Sequence, residues 1–172
     1  MRNISEYLNQ SILINETSDS GADLKTLISQ KIASFDGPFA IQYDKSAEKT
    51  YDVLKSVVDK SNSCNLITVY LEKAEATDFA ELPTKFGKVI PGWMSAIGDA
   101  DKNMKFVVAF AGIDGVKPEV LNALMPIILK GIIPGVGKKD NFICVFIGNE
   151  EELSSLPKPI ISKMGKVPMK GI

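Results

Sequence analysis

The chain has no histidine, and this absence excludes several kinds of chemistry. Without an imidazole there can be no histidine general base, no histidine metal ligand and no serine–histidine pair. Arginine is almost as scarce, because Arg2 is the single arginine and every other basic residue is lysine. A mechanism that needs a bidentate guanidinium in the core of the domain is therefore excluded as well.

Cysteine, net charge and long apolar runs are also sparse. Cys64 and Cys144 each lie beside a short apolar run, which favours free buried thiols and a cytosolic setting. The net charge is −1 and the lysines are scattered, so no basic face for nucleic acid is expected. No apolar run approaches the roughly 20 residues that cross a bilayer, and no secretory signal is seen. The sequence thus predicts a cytoplasmic protein without a nucleic-acid or membrane partner.

Short apolar runs alternate with amphipathic segments. Phe106–Ala111 is unbroken in its apolar character, as in a parallel strand that is covered on both faces. A glycine-containing turn follows, and then Pro118 and Glu119 open a helix whose apolar residues share one face. The pattern predicts a three-layer α/β sandwich with a mainly parallel five-stranded sheet. In chain order the predicted strands are Phe39–Tyr43, Asn65–Leu71, Phe106–Ala111, Phe142–Ile147 and Val167–Met169.

The N-terminal region is predicted to lie apart from this sandwich. Residues 1–16 place several apolar side chains along one helical face, and Thr17–Ala22 has the polar composition of a linker. Residues 1–22 are therefore interpreted as a peptide and linker, and residues 23–172 as the domain. The peptide could dock on the domain or a partner, or be a frayed terminus. Further helices are predicted over Asp23–Phe35, Ala47–Asn62 and Trp93–Ile97, with loop filling the rest of Glu72–Met104.

The segment Tyr43–Thr50 (YDKSAEKT) follows the first strand and precedes a helix, which is the context of the phosphate-binding loop G-x-x-x-x-G-K-[ST]. Lys49 and Thr50 occupy the last two places of that motif. Tyr43 and Glu48 stand at both glycine places, although glycine is what lets backbone N–H groups close round a phosphate. On its own, a Lys-Thr pair on a helix is commonly a surface feature without function.

Taken together, the segments of the chain resemble the ATPase core of the AAA+ superfamily, nearest to its MoxR-like branch, from about Gly37 to Met164. Thr77–Pro83 looks like the branch's "D-L-x-G-x-P" region, and Pro91–Met94 resembles its "P-G-x-L" helix start. PEVLNALMPIILKG is similar to the segment after the metal-binding strand, and NFICVFIGN to the strand that ends in the sensor asparagine. Leu156–Met164 resembles the "lp-ai-dRF" segment.

This resemblance implies a P-loop NTPase-like sheet with strand order 5-1-4-3-2. It matches Lys49 to the phosphate lysine, Thr50 to the magnesium hydroxyl and Asn149 to the sensor residue. Ala111 and Gly112 stand where the acidic pair belongs. Lys163 replaces the arginine finger, which contributes on the order of 10³ or more in rate. The family's lid helices are expected to have no room after Met164. Because the loop glycines, the acidic pair and the arginine finger are all replaced, a vestigial site without a cofactor is expected.

Three hypotheses for function remain open at this point. The first is a pseudo-ATPase that serves as a structural or adaptor module for a protein partner or for copies of itself. The second is a sensor that binds ATP or ADP through Lys49, Thr50 and Asn149 without hydrolysis. The third is an unrelated enzyme that uses Asp44, Asp114 or Lys49. The composition, rich in lysine, isoleucine and asparagine, suggests an A·T-rich genome and would suit a phage protein in the host cytoplasm or the virion.

Overall fold

The structure, a computed structural model, describes the chain from residue 16 onwards with short gaps. The described residues are 16–80, 82–85, 87–89, 91–101, 103–165 and 168–172, with residues 16–22, 82–84 and 87–89 described by backbone alone. The amphipathic peptide predicted before residue 16 lies outside these ranges and stays a prediction. In the described ranges, no helix combines the length and the hydropathy that crossing a bilayer requires.

One five-stranded sheet forms the centre of the molecule. Its strands are β1 (Phe39–Gln42), β2 (Cys64–Tyr70), β3 (Lys105–Ala111), β4 (Phe142–Gly148) and β5 (Met169–Lys170). They lie in the order β5-β1-β4-β3-β2, and every neighbouring pair is parallel. The predicted order 5-1-4-3-2 and the predicted α/β class are therefore confirmed. The edge strand was predicted over Val167–Met169, of which Val167 lies outside the described residues.

Side chains alternate between the two faces of this sheet, as the pleat of a strand requires. Phe106, Val108 and Phe110 of β3 face one apolar cluster, and Val107 and Ala109 face the other. Both clusters are buried because helices cover both faces of the sheet. The apolar run predicted to need cover on two sides is thus confirmed as a central parallel strand.

In the part of the chain that the structure describes, six α-helices accompany the sheet. Their bounds are α1 (Glu16–Ser34), α2 (Ala47–Asp59), α3 (Gly92–Asp99), α4 (Pro118–Lys130), α5 (Glu150–Ser154) and α6 (Lys158–Met164). The apolar residues of α1 and α2 belong to the cluster on one sheet face, and those of α3, α4 and α6 to the cluster on the other. This is the predicted three-layer arrangement.

Helix α1 begins earlier than the sequence predicted. It starts at Glu16, so Thr17–Ala22, interpreted above as a linker, is helical. The polar composition of these residues is compatible with an exposed helical turn as well as with a loop, and composition alone does not separate the two. Leu24, Ile28 and Ile32 are buried as expected, but Leu27 is 44% exposed because it lies at the margin of the apolar face.

The connection between β2 and β3 holds more structure than the single helix predicted there. Two short 3₁₀ helices, Leu71–Lys73 and Ala76–Phe79, precede a hairpin of Leu82–Thr84 with Gly87–Val89. A second hairpin, Ile132–Ile133 with Gly137–Lys138, follows α4. Strands of two or three residues are too short to show an alternating pattern, which is why the sequence did not predict them.

The two cysteines differ in chemical accessibility. Both thiols are free; Cys144 is buried in β4, and Cys64 is half-buried at the start of β2. Burial raises the pKa of Cys144 to about 12, and it also raises the pKa of Cys64. At pH 8 the Cys144 thiolate is therefore a fraction of about 10⁻⁴, and the thiolate is the reactive form.

We expect a small alkylating reagent at pH 8 to modify Cys64 slowly in the folded protein and to leave Cys144 unmodified. In urea both should react within the same time, because unfolding removes the burial that suppresses the thiolate. Intact-mass measurement counts the adducts, and a Cys64→Ser variant isolates Cys144. Rapid modification of that variant in the folded state would contradict the expectation.

Candidate functional site

The carboxyl ends of the parallel strands meet at one edge of the sheet, where folds of this type bind their ligands. Tyr43 follows β1, Gly112 follows β3, and Asn149 follows β4. The 3₁₀ helix Leu71–Lys73 follows β2 and completes the edge. The residues that the sequence predicted for the site, which are Lys49, Thr50 and Asn149, belong to segments that begin at this edge.

The turn after β1 is shorter than a phosphate-binding loop. Ser46 caps α2, and its hydroxyl accepts a hydrogen bond from the backbone N–H of Lys49 at 3.0 Å. The helix begins at Ala47, so Glu48 and Lys49 lie in its first turn and only Tyr43 to Ser46 remain in the turn. Residues 46–49 therefore form the start of a helix, because the Ser46 side chain caps the first turn of α2.

Three successive backbone N–H groups in this turn point at one oxygen atom. The amides of Asp44, Lys45 and Ser46 donate to the backbone oxygen of Ile172 at 3.0, 3.1 and 3.1 Å. Converging amides at a helix N-terminus are an arrangement that binds anions. In this protein the acceptor comes from the chain itself.

Thr50, predicted to match the magnesium hydroxyl, is fully buried. Its hydroxyl donates to the carbonyl of Ser46 at 2.9 Å and accepts from the backbone N–H of Ile172 at 2.8 Å. The single hydroxyl proton is used in the first bond, and one lone pair in the second. Lys49, the predicted phosphate lysine, is exposed one residue before it.

Asn149, the predicted sensor, caps α5. Its side-chain oxygen accepts from the amide of Glu152 at 2.8 Å, and the Glu152 carboxylate accepts from the amide of Asn149 at 3.0 Å. The two residues thus form a capping box. The Glu152 carboxylate also accepts from the Tyr43 hydroxyl at 3.1 Å and from the amide of Asp114 at 3.1 Å. Glu152 therefore ties the ends of β1, β3 and β4 together.

The tyrosine in this network titrates abnormally. Burial raises the pKa of Tyr43, and the hydrogen bond to the Glu152 carboxylate raises it further. Both effects disfavour the phenolate, the first through lost hydration and the second through repulsion between negative charges. At neutral pH the Tyr43 hydroxyl is a hydrogen-bond donor and not a base.

Gly112, which the resemblance matched to a position of the acidic pair, lies beside the carboxylate of Glu72. Gly112 has a φ of +66°, and a Cβ built on it would lie 1.6 Å from Oε1 of Glu72. Glu72 reaches this place from the 3₁₀ helix after β2, so its carboxylate covers the end of β3. A side chain at Gly112 would meet both the strain of the left-handed backbone and the Glu72 side chain.

A cleft of about 530 Å³ lies beside these groups. It is lined by four carboxylate residues and three tyrosines, with small and apolar residues between them: Tyr43, Ala47, Glu48, Tyr51, Tyr70, Glu72, Ala111, Gly112, Asp114, Ile147 and Glu152. No lysine is among these lining residues, so the local charge is unfavourable for a triphosphate. Among the described residues, no group of three side chains has the arrangement of a metal site.

Lys163, which the resemblance matched to the arginine finger, lies elsewhere. It is exposed on α6 and lines a shallow depression together with Pro38 and Phe142, at the amino ends of β1 and β4. This is the end of the sheet opposite the cleft. Within one chain, Lys163 therefore lies away from the cleft.

Comparisons with known proteins bear on the fold. No protein-family model matches the chain, and no curated protein matches it in sequence. Among solved structures, NtrX from Brucella abortus is similar at a TM-score of 0.62 with 10% identity, over 92% of this chain and 38% of NtrX. A RuvB mutant from Thermotoga maritima is similar at 0.52 with 12% identity, over 90% of this chain and 44% of RuvB.

The fold is that of a P-loop NTPase. Both similar structures have folds of the AAA+/P-loop ATPase type. The chain spans about two fifths of the length of each of these proteins. At these identities the likeness carries the P-loop NTPase fold and nothing about activity.

Sequence reasoning missed several residues of this edge. The pattern Asn-x-x-Glu at residues 149–152 is a readable capping-box signal, and it would have shown that Asn149 has a structural task. Glu72 and Ile172 gave no such signal. Glu72 is remote in sequence from Gly112, and Ile172 is 122 residues from Thr50, so only the sheet order brings these residues together.

Proposed function

We propose that this domain is a catalytically inactive AAA+-like module, a pseudo-ATPase that works by binding a protein partner or further copies of itself. The observation that carries the proposal is the backbone oxygen of Ile172 on the amides of Asp44, Lys45 and Ser46. These amides are the groups of the turn that could hold a phosphate, and they are already satisfied.

Two features of the neighbouring cleft support the same proposal. The sequence places Ala111 and Gly112 where an acidic pair would hold Mg²⁺, and Glu72 fills the space beside Gly112. The cleft itself is lined by carboxylates. A nucleotide with several negative charges would bind there only with added positive charge.

The proposal is tested by phosphate release from Mg·ATP with the full chain. We expect no release above the buffer rate, and the same result for Lys49→Ala and for the control Lys45→Ala, which removes an exposed lysine from the turn just before α2. Turnover that disappears in Lys49→Ala and persists in Lys45→Ala would overturn the proposal, because it would show that Lys49 supports catalysis.

The interaction part of the proposal needs a separate measurement. Native mass spectrometry of the purified chain tests whether copies assemble into a ring, as AAA+-like domains would. A pulldown from the native host, followed by the mass of the intact complex, gives the stoichiometry with a partner. A monomer that forms no stoichiometric complex would contradict an adaptor role. A phage origin is also part of this proposal, and it rests on the amino-acid composition alone.

A second candidate is a nucleotide-binding sensor without hydrolysis. It is favoured by the converging amides of the turn after β1, an arrangement that suits an oxyanion. Calorimetry with ATP and ADP, with and without Mg²⁺, tests it. Absence of both heat and a shift in melting temperature at millimolar nucleotide would end this alternative.

A further inference from the structure

The C-terminal segment Met169–Ile172 leads directly from the sheet edge into the turn after β1. β5 pairs with β1 in the register Ile41 to Met169 and Gln42 to Lys170. The ladder continues one residue further, because the amide of Gly171 donates to the carbonyl of Gln42 at 2.7 Å. Ile172 is the next residue, so the parallel pairing with β1 delivers its backbone to the turn.

Ile172 uses both of its backbone groups there. Its backbone oxygen accepts from the amides of Asp44, Lys45 and Ser46, and its own amide donates to the Thr50 hydroxyl. Its half-buried side chain packs against the apolar cluster that contains α1 and α2. One oxygen on three successive amides is the position that a phosphate oxygen takes at such a turn.

We propose that Met169–Ile172 is an internal ligand of this turn, which binds a phosphate or pyrophosphate oxygen only when the segment leaves. The segment and a foreign oxyanion would compete for the same space and for the same hydrogen-bond donors. The same three amides cannot hold the Ile172 oxygen and a foreign oxyanion together, and the Thr50 hydroxyl is released only when the Ile172 amide moves away. Occupancy of the turn is therefore set by the position of the segment.

Gly171 makes this close approach feasible. A Cβ built on Gly171 would lie 2.8 Å from both Oγ1 and Cγ2 of Thr50 and 3.1 Å from the carbonyl oxygen of Gln42. Thr50 is fully buried, and the Gln42 oxygen belongs to the backbone of β1, so neither can yield easily. A side chain at Gly171 should thus push the segment off the turn without altering the turn itself.

The experiment compares Gly171→Val with the unmodified chain by amide hydrogen exchange and by titration with inorganic pyrophosphate followed in amide spectra. We expect the amides of residues 44–46 to exchange at least about tenfold faster in the variant. Pyrophosphate should also bind there at least about tenfold more tightly, because the competent state is more populated. Gly92→Val is the matched control, since a Cβ on Gly92 meets nothing within 4 Å.

Three results would overturn the inference. The first is exchange in Gly171→Val that is no faster than in Gly92→Val. The second is faster exchange without a response of these amides to pyrophosphate. The third is an equal response in the unmodified chain. If Gly171→Val does not fold, Ile172→Pro replaces it, because proline removes the N–H that donates to Thr50.

This inference goes beyond the proposed function, and the two can fail separately. Phosphate release from ATP would overturn the absence of catalysis whatever the segment does. Unchanged amide exchange at residues 44–46 would overturn the proposal that Met169–Ile172 is an internal ligand. The proposed inactive module would then still be supported by Gly112, Glu72 and the acidic cleft.

Discussion

Replacing Phe110 by alanine is expected to lower the free energy of unfolding by about 3–5 kcal/mol, the usual loss for a buried phenylalanine. Phe110 lies on β3 with no exposed surface, and its ring stacks on Phe146 of β4 at a centroid distance of 5.1 Å. The two residues are direct partners in the parallel register. The variant would lose both this ring contact and the cover that the helices give it.

Urea unfolding at pH 7 measures this loss, with Leu27→Ala as the control. Leu27 is 44% exposed on α1, and alanine favours a helix, so this change should cost less than about 1 kcal/mol. A loss for Phe110→Ala no larger than for Leu27→Ala would contradict the assignment of β3 as a buried strand of the core.

The arrangement of the sheet was predictable because its central strands carry their own signal. Phe106–Ala111 and Phe142–Ile147 are apolar throughout, which only a strand covered on two faces explains. The polar turn Asp44 to Ser46 and the amphipathic α2 then define a crossover, and crossovers restrict the strand order severely. Order 5-1-4-3-2 was nevertheless drawn from a resemblance, since periodicity alone does not choose among the orders that remain.

The candidate site was predictable only in its location. Sequence reasoning placed Lys49, Thr50 and Asn149 at the carboxyl edge, where the structure has them. It assigned their roles by position in a motif. In the structure, the Thr50 hydroxyl bonds the Ser46 carbonyl of its own helix turn and the distant amide of Ile172, and Asn149 forms a capping box. Whether Lys49 or Asn149 meets a nucleotide stays a prediction.

The surroundings of the carboxyl edge are determined by contacts between residues that are far apart in the chain. Glu72 reaches Gly112, and Ile172 reaches the turn after β1. Neither contact follows from a local pattern, because glycine and isoleucine at the end of an edge strand are unremarkable in a sequence. The sequence shows which motif residues are absent, whereas the contact of Ile172 with the turn after β1 is visible only in the structure.

A second large effect is expected at Asn141, the residue before β4. Its side chain is 6% exposed, and its amide donates to the carbonyl of Ile97 at 3.1 Å and to that of Met104 at 3.4 Å. The side-chain oxygen has no hydrogen-bond partner in the described part of the chain. Asn141 therefore joins the C-terminal end of α3 and the turn before β3 to the start of β4.

Asn141→Asp keeps the shape of this side chain and replaces the donor by a charged acceptor. The carboxylate would face the carbonyl oxygen of Ile97, near the negative end of α3, and that of Met104 without a compensating donor, so its pKa should rise above the ordinary value of an aspartate. Leaving a buried charge without a partner costs about 3–5 kcal/mol, which is the loss expected at pH 7.

The loss should depend on pH in a stated direction. A carboxyl whose pKa is raised by folding is penalised above its unfolded value of about 4, so the deficit should shrink to about 1–2 kcal/mol at pH 4, where the acid is protonated and can donate one hydrogen bond. Urea midpoints at pH 4 and pH 7 measure this, with the exposed Asn62→Asp as a control that should change by less than about 0.5 kcal/mol at both. An equal deficit at the two pH values would mean that the lost amide donor, and not a buried charge, determines the effect.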